Sequence, residues 1–352
     1  MKDESIKFLR LQRQHMLEAV KEVDYDQLFK DMSPVQTRFW IEPGSPPELM
    51  HRCDFDDAFT NDLYRKERRI IKGRFQGGHV AYCFLEDLPL FMAAYRKDMK
   101  SFSKHEEIIL NILKSEGAMD LDLIKEISGL LSKEVAKALQ KLQKAFIVYE
   151  DQIDKERTRA FYILEDEFSD LDFTTYTKEK AKKEVIRRFI HMNVFVNIDM
   201  IKSYTKFTNK DINLAIESLF EEQVIIEVDE SFGEGYILMD DLEEIKGVYN
   251  EVPDKIFILD LNDYLVKSNE LLLKERFGKS DLKTLHYIMK QGDIIGRVLG
   301  NFRFGPNDLE DIELDLEEDL IIEYKEAIVE ALEESYKGQE TKLRKYSGKL
   351  IE

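Results

Sequence analysis

The chain has 352 residues and a formal net charge of −19, and 43% of its residues are hydrophobic and 35% charged. This length allows two or three domains, each with its own core. No apolar run approaches the roughly 20 residues of a transmembrane helix, and the first residues lack the pattern of a secretion signal. Its two cysteines are too few for a disulfide framework. We therefore expect a cytoplasmic protein that does not enter a membrane.

The negative net charge argues at first against nucleic acid, because phosphate contacts need Lys and Arg. The charge is unevenly spread, however. Residues 1–100 contain 17 basic and 17 acidic residues, whereas residues 240–352 contain 16 basic and 27 acidic ones. Since a local basic face decides binding, DNA remains compatible with the acidic total.

Residues 1–101 form the first predicted domain, a helical and β region. The spacing of apolar residues predicts a helix over 1–30, and Ser33-Pro34 breaks it. A strand over 80–85 and a helix over 88–99 are also predicted. Before that strand lies a basic run, which either follows a DNA backbone or is a solvated face. Its members are Arg65, Lys66, Arg68, Arg69, Lys72 and Arg74.

Two later segments, within residues 102–170 and 171–250, are near-duplicates of each other. In both, an apolar-faced helix runs into two short β segments, which end in Tyr162-Ile163-Leu164 in the first and Tyr236-Ile237-Leu238 in the second. Two shorter helices precede that third helix, and this order predicts a winged helix-turn-helix unit. Because the third helix of such a unit usually enters a groove, double-stranded DNA is the predicted partner.

The charges of the two units differ. The third helix of the first unit, predicted over 132–144, carries Lys133, Lys137 and Lys141 on one face, and Arg157 and Arg159 lie near its wing tip. The wing of the second unit is acidic and would repel phosphate. The first unit is therefore the better candidate for DNA contact, although the same lysine stripe suits any exposed helix.

After Pro253 the pattern changes to short strands. Residues 255–259, 284–290, 294–302 and 312–316 are predicted strands, and 323–334 a helix. We therefore expect residues 251–352 to form a β-rich, barrel-like domain with a terminal helix. The predicted fold class is α+β.

Motifs for metals and cofactors are absent from the sequence. It contains no G-x-G-x-x-G, P-loop, H-E-x-x-H or C-x-x-C. We accordingly predict no cofactor and no metal, and we expect a monomer.

Several stretches carry a family resemblance. They are Arg10-Leu-Gln-Arg-Gln-His-Met-Leu17, Lys72-Gly-Arg-Phe-Gln-Gly-Gly-His-Val80 with Glu86-Asp-Leu-Pro-Leu90, and Gly292-Asp-Ile-Ile-Gly-Arg-Val298. Their order and spacing resemble the AlkZ/YcaQ-like winged-helix DNA glycosylases over residues 5–320. The resemblance implies tandem winged helices on duplex DNA and, without a cofactor, hydrolysis of the N-glycosidic bond of alkylated or crosslinked bases. It also places His79 near DNA, although a structural histidine is the alternative.

The family motif that this resemblance implies is Q-x-Q or Q-x-D, whose polar pair polarises the attacking water. The matching stretch is Pro34-Val-Gln-Thr-Arg38, so Gln36 fits the first position and Arg38 stands at the second. A guanidinium donates hydrogen bonds and cannot accept them. Arg38 then either binds a phosphate or forms an ion pair, and one of Asp54, Asp56 and Asp57 is a possible replacement carboxylate.

Three functions follow from these observations. The first is a DNA glycosylase that acts in DNA repair, with Gln36 and Arg38 as candidate catalytic residues. The second is a winged-helix DNA-binding protein without catalysis, either a transcriptional regulator or a damage recogniser. The third is a protein-interaction role, in which the acidic surface keeps DNA away.

Overall fold

A computed structural model describes residues 3–39, 42, 44–152, 158–230, 233–248, 251–303, 307–339 and 341–351. Helices and small antiparallel sheets alternate along the chain. The α+β prediction is therefore confirmed.

The first part of the chain contains a helix, α1, followed by a unit of three helices and three strands. The elements are α1 (Asp3–Arg13), α2 (Tyr25–Met32), β1 (Val35–Gln36), α3 (Asp57–Lys66), β2 (Ile70–Phe75), β3 (His79–Phe84) and α4 (Leu88–Tyr95). The predicted single helix over 1–30 is thus wrong. Instead, α1 ends at Arg13, whose guanidinium binds Asp241 and Glu244, and His15 turns the chain with a φ of 53°.

Two more units follow, with the elements in the same order. The second consists of α5 (Lys104–Glu116), β4 (Met119–Asp120), α6 (Leu121–Ser128), α7 (Ser132–Lys144), β5 (Val148–Gln152), β6 (Arg159–Ile163) and α8 (Leu164–Glu167). The third consists of α9 (Lys178–Asn193), β7 (Phe195–Val196), α10 (Ile198–Thr205), α11 (Asn209–Glu221), β8 (Ile225–Glu230), β9 (Gly233–Leu238) and α12 (Leu242–Gly247). We call residues 25–95, 104–167 and 178–247 units 1, 2 and 3.

The three units share one sheet topology. Their strand orders are β1-β3-β2, β4-β6-β5 and β7-β9-β8, all antiparallel. Two residues after the helix that precedes each hairpin lies a residue with a left-handed backbone. These residues are Arg68, Phe146 and Gln223, with φ of 57°, 54° and 57°. The sequence analysis recognised two copies of this pattern, and the structure contains a third, unit 1.

The C-terminal part is an open sheet rather than a barrel. Its elements are β10 (Ile256–Asp260), α13 (Tyr264–Ser268), α14 (Glu270–Phe277), β11 (Lys283–Lys290), β12 (Asp293–Asn301), β13 (Asp308–Leu314), α15 (Glu318–Glu323), α16 (Lys325–Ser335), β14 (Lys345–Tyr346) and β15 (Lys349–Leu350). The four long strands lie in the order β10-β11-β12-β13, and over the described residues β10 and β13 do not pair. The predicted barrel is wrong because helices cover this sheet. Ile328 and Leu332 of α16 share a hydrophobic cluster with Ile288, and Leu11 of α1 shares another with Met289.

Candidate functional site

Gln36 occupies a position whose counterparts in the other units begin a helix. The β pairing places Gln36 opposite Ala81 and Asp120 opposite Ala160, and by the same register Asn197 follows β7. Asp120 caps α6 by accepting from the Leu123 N–H, and Asn197 caps α10 by accepting from the Met200 N–H. Within the described part of residues 37–56 no helix follows Gln36. The Gln36 side chain therefore has no helix to cap.

The segment 37–56, which replaces that helix, is held by hydrogen bonds to β10, the residues after β10 and α3. The Phe39 N–H donates to Asp260 Oδ1 at 2.9 Å, and Asn262 Nδ2 donates to the Thr37 carbonyl at 2.8 Å. Further along, the Leu49 N–H donates to Asp57 Oδ2 at 2.6 Å. These anchors place the side chains of Glu48 and Arg52 in one cleft with Gln36.

The Gln36 amide has a fixed orientation. Its Nε2 donates to Gln76 Oε1 at 2.8 Å, and Gln76 is 1% exposed, with a φ of 41°. Gln76 also hydrogen-bonds the Tyr204 hydroxyl, which donates to the Met32 carbonyl at 3.2 Å. Because Gln36 Nε2 is the donor to Gln76, the other side of the amide is the acceptor Oε1. No described residue donates a hydrogen bond to Gln36 Oε1.

Gln36 lines a narrow cleft between unit 1, α10 and α13, which we call the Gln36 cleft. It leaves about 30 Å³ for water, room for roughly two molecules. A ring system the size of a purine does not fit into this space. The lining residues are Met32, Pro34, Val35, Gln36, Glu48, Leu49, Arg52, Gln76, Tyr204, Asn262, Asp263, Tyr264 and Lys267.

Charged groups around the Gln36 cleft occur in both signs. Arg38 Nη1 lies 3.5 Å from Glu48 Oε2, so Arg38 forms an ion pair, one of the two predicted alternatives. Arg52 and Asp263 form a buried pair at 2.7 Å. Burial lowers the pKa of Lys267 and raises the pKa of Glu48, with Arg38 opposing the shift of Glu48. Burial also raises the pKa of Asp260 to about 6.

The basic run of unit 1 does not form one continuous surface. Arg65 is 2% exposed and donates to the Gly44 carbonyl and to Asp62, so it is not presented to DNA. Arg68 pairs with Glu167, and Arg69 pairs with Asp26 and stacks on Tyr64 with 3.8 Å to the ring centroid. Most of the side chains that were predicted to follow a DNA backbone therefore contact other residues of the protein.

Lys72 and Arg74, the last two cations of that run, meet unit 2. Lys72, 9% exposed, pairs with Glu150 at 2.5 Å, and burial lowers its pKa. Arg74 Nε donates to Gln143 Oε1 at 3.3 Å, and burial lowers its pKa as well. Arg159 also reaches Glu150, at 3.5 Å, with 45% of its side chain exposed. Glu150 therefore neutralises cations from both units.

The lysine stripe of α7 is at the surface. Lys133 and Lys137 are exposed and form no ion pair with any described residue, whereas Lys141 binds Glu106 at 2.7 Å and stays about half exposed. Arg157 lies outside the described residues. Of the predicted DNA contacts, Lys133 and Lys137 are the freest on α7.

His79 begins β3 and does not line the Gln36 cleft. It is exposed, and its pKa is lowered by partial burial and by the nearby Lys267 and Lys206. The structure therefore leaves this side chain exposed and does not use it as a buried structural histidine.

The three aspartates that we considered as a replacement carboxylate have other neighbours. Asp56 caps α3 through the Phe59 N–H, and Asp57 accepts from Tyr25 Oη and the Leu49 N–H. Neither of these two, nor Asp54, lines the Gln36 cleft. Sequence reasoning missed Glu48, which does. The available signal was an acidic residue directly after Pro46-Pro47, in the turn-rich stretch that follows Gln36.

Two broader searches concern the described residues as a whole. Among them, no group of three or more His, Cys, Asp or Glu side chains is arranged to hold a metal ion. None of their helices is long and apolar enough to cross a membrane.

Comparison with solved structures assigns the fold to that of a DNA glycosylase. The chain is similar to Streptomyces sahachiroi DNA glycosylase AlkZ, with a TM-score of 0.71 and 11% sequence identity, over 98% of this chain and 99% of that one. The predicted resemblance is therefore confirmed at the level of the fold. No protein-family model and no curated protein matches the sequence.

Proposed function

We propose that the protein is a winged-helix DNA glycosylase that hydrolyses the N-glycosidic bond of an alkylated or crosslinked base in double-stranded DNA. The full-length likeness to AlkZ supports this proposal. In this proposal, units 1–3 are winged helices. Residues 102–170 and 171–250 form two of the domains, and residues 251–352 form the C-terminal domain. The enzyme acts in DNA repair in the cytoplasm, as a monomer, without metal or organic cofactor.

The observation that carries the proposal is the Gln36 amide. Its Nε2 is engaged by Gln76, so Oε1 faces a cleft with room for about two waters. An amide oxygen that accepts from a water directs the lone pair of that water towards the substrate. Held next to C1′, such a water meets the positive charge that develops as the base departs.

The DNA contacts of the proposal lie on α7. Lys133 and Lys137 are exposed and without ion pairs among the described residues, and α7 is the third helix of unit 2, which enters the groove in winged helices. The proposal adds four further DNA contacts, Lys141 on α7 and Arg74, Arg159 and His79 on the strands of units 1 and 2. An N7-alkylated guanine is already cationic and leaves readily. Its base therefore does not need to enter the cleft and stays at the mouth.

The experiment is base release from duplex DNA that carries N7-methylguanine, comparing wild type with Gln36→Ala. We expect wild type to release the free base and the variant to lose at least about a hundredfold in rate. Salt-sensitive duplex binding should be equal in both. Equal release by the two proteins would remove Gln36 from the reaction.

Arg38 favours a second candidate, a winged-helix DNA-binding protein without catalysis. The second position of the Q-x-Q motif holds a group that cannot accept a hydrogen bond, as in a relic of an enzyme. Salt-sensitive duplex binding with no base release by wild type from N7-methylguanine or from an interstrand crosslink would select this candidate. Absence of binding would reject both.

A further inference from the structure

We propose that Glu48 supplies the carboxylate that the Q-x-Q motif lacks and that Arg38 positions it. Glu48 accepts the proton of the water that Gln36 orients, which makes it a catalytic residue, and Arg38 acts through it. This inference rests on the proposed function and names the base of that same site.

The first support is location. Glu48 and Gln36 line the same cleft, although they are separated by 12 positions in the chain. The backbone around Glu48 is fixed, because the Leu49 N–H donates to Asp57 at 2.6 Å and His51 Nε2 contacts the Ile258 carbonyl oxygen at 2.8 Å. Because the backbone on its C-terminal side is held in this way, the Glu48 carboxylate stays in the cleft.

The second support is that the neighbouring carboxylates are engaged in structural contacts. Asp263 holds Arg52 with both oxygens and accepts from the Leu265 N–H. Asp260 accepts from the Phe39 and Asn262 N–H groups. Among the described residues, Glu48 has a single ion-pair partner, Arg38, at 3.5 Å. One of its oxygens therefore stays available for a proton.

The third support is the electrostatic balance. Glu48 is 19% exposed, and burial together with Asp57 and Asp260 raises its pKa, while Arg38 lowers it. A general base works best when its pKa lies not far below the working pH. Arg38 opposes the effect of burial and so favours the ionised form of Glu48, which is the form that accepts a proton. The charged groups that face Glu48 or line the cleft are Arg38, Arg52, Asp57, Asp260, Asp263 and Lys267.

The step balances as a hydrolysis. The water oxygen forms a bond to C1′ as the bond from C1′ to the base nitrogen breaks, and that electron pair stays with the base and cancels its positive charge. The water proton moves to Glu48 and from there to solvent. The products are the free alkylated base and an abasic sugar with a hydroxyl at C1′.

The experiment measures single-turnover base release from N7-methylguanine duplex DNA across pH 5–9 for wild type, Glu48→Gln and a control, Glu310→Gln. Glu310 is a matched control because it is 21% exposed and pairs with Arg344 at 3.0 Å, in β13 of the C-terminal sheet. We expect Glu48→Gln to lose at least about a hundredfold in rate with unchanged duplex affinity. Glu310→Gln should match wild type.

Arg38→Met, which removes the cation without restoring the Q-x-Q motif, keeps the measurement decisive if Glu48→Gln does not fold. Since a lost cation favours the protonated acid, the pKa of Glu48 rises, and the fall of activity on the acid side should move to measurably higher pH. Arg344→Met, the matched control, should not move it. A residue with only a structural role would lower activity at all pH values without shifting the profile.

The outcomes separate the two proposals. If wild type releases base, Gln36→Ala does not and Glu48→Gln equals wild type, Glu48 is not the base although the glycosylase proposal stands. An unshifted acid limb in Arg38→Met likewise overturns the role of Arg38. If wild type releases nothing, the glycosylase proposal fails and this inference fails with it.

Discussion

Gln36 at the end of β1 and Gln76 in the turn between β2 and β3 share one hydrogen bond, from Nε2 to Oε1 at 2.8 Å. An amide presents a donor on one side and an acceptor on the other, so this bond decides which side faces the cleft. Gln76 is held in turn by Tyr204, on α10 of unit 3. The side of the Gln36 amide that faces the cleft therefore depends on a side chain from unit 3.

Replacing Gln76 tests this positioning. Gln76→Met keeps the length of the side chain and removes the acceptor, so the Gln36 amide is free to flip. We expect single-turnover base release to fall about tenfold, the worth of one hydrogen bond, with duplex affinity unchanged. Gln223→Met is the matched control, because Gln223 has the same left-handed backbone, with a φ of 57°. Full activity in Gln76→Met would mean that Gln36 is oriented by other contacts.

The candidate site was only partly predictable from the sequence. Gln36 was found through the motif, because a motif keeps its residues within a few positions. Glu48, Gln76 and Tyr204 come from segments far apart in the chain, and only the β1–β3 pairing and the packing of α10 bring them together. Arg38 was expected either at a phosphate or in an ion pair, and its partner was not visible at the sequence level.

Element boundaries show where periodicity is a reliable guide. The predicted helix over 132–144 is confirmed as α7, because Val135, Leu139 and Leu142 form one apolar face over three turns. Unit 1 was missed as a repeat because the segment 37–56 stands where the other units have a helix. The segment 37–56 also brings Glu48 to Gln36, so the candidate site lies where unit 1 differs from the other two units.

The exposed lysines of α7 give a prediction at this scale. Changing both Lys133 and Lys137 to Gln removes two phosphate contacts in the proposed complex. The slope of log K against log salt should become shallower by about 2, as measured by fluorescence anisotropy on a duplex. The matched control is Lys104→Gln with Lys114→Gln, exposed lysines of α5 in the same unit. If both pairs change the slope equally, unit 2 binds DNA through its overall charge and not through α7.

Across the whole molecule, three distant segments meet at one buried cation. Arg52 is 1% exposed; its Nη2 donates to Gln14 Oε1, after α1, at 3.1 Å, and both of its Nη groups bind Asp263, at the start of α13. Asp263 also caps α13 through the Leu265 N–H. This network joins the segment 37–56 to the C-terminal part and thereby fixes the floor of the Gln36 cleft.

Asp263→Ala should therefore destabilise the protein strongly. It leaves the Arg52 guanidinium buried without its counter-charge, at a cost of about 3–5 kcal/mol in the free energy of unfolding, as measured by urea denaturation. Glu334→Ala breaks the exposed pair with Lys337, where the side chains are 71% and 76% exposed, and should cost less than about 1 kcal/mol. Replacing both buried partners, Arg52→Met with Asp263→Leu, should recover part of the loss, since no unpaired charge remains buried. If Asp263→Ala costs no more than Glu334→Ala, the Arg52–Asp263 pair does not hold the two parts together.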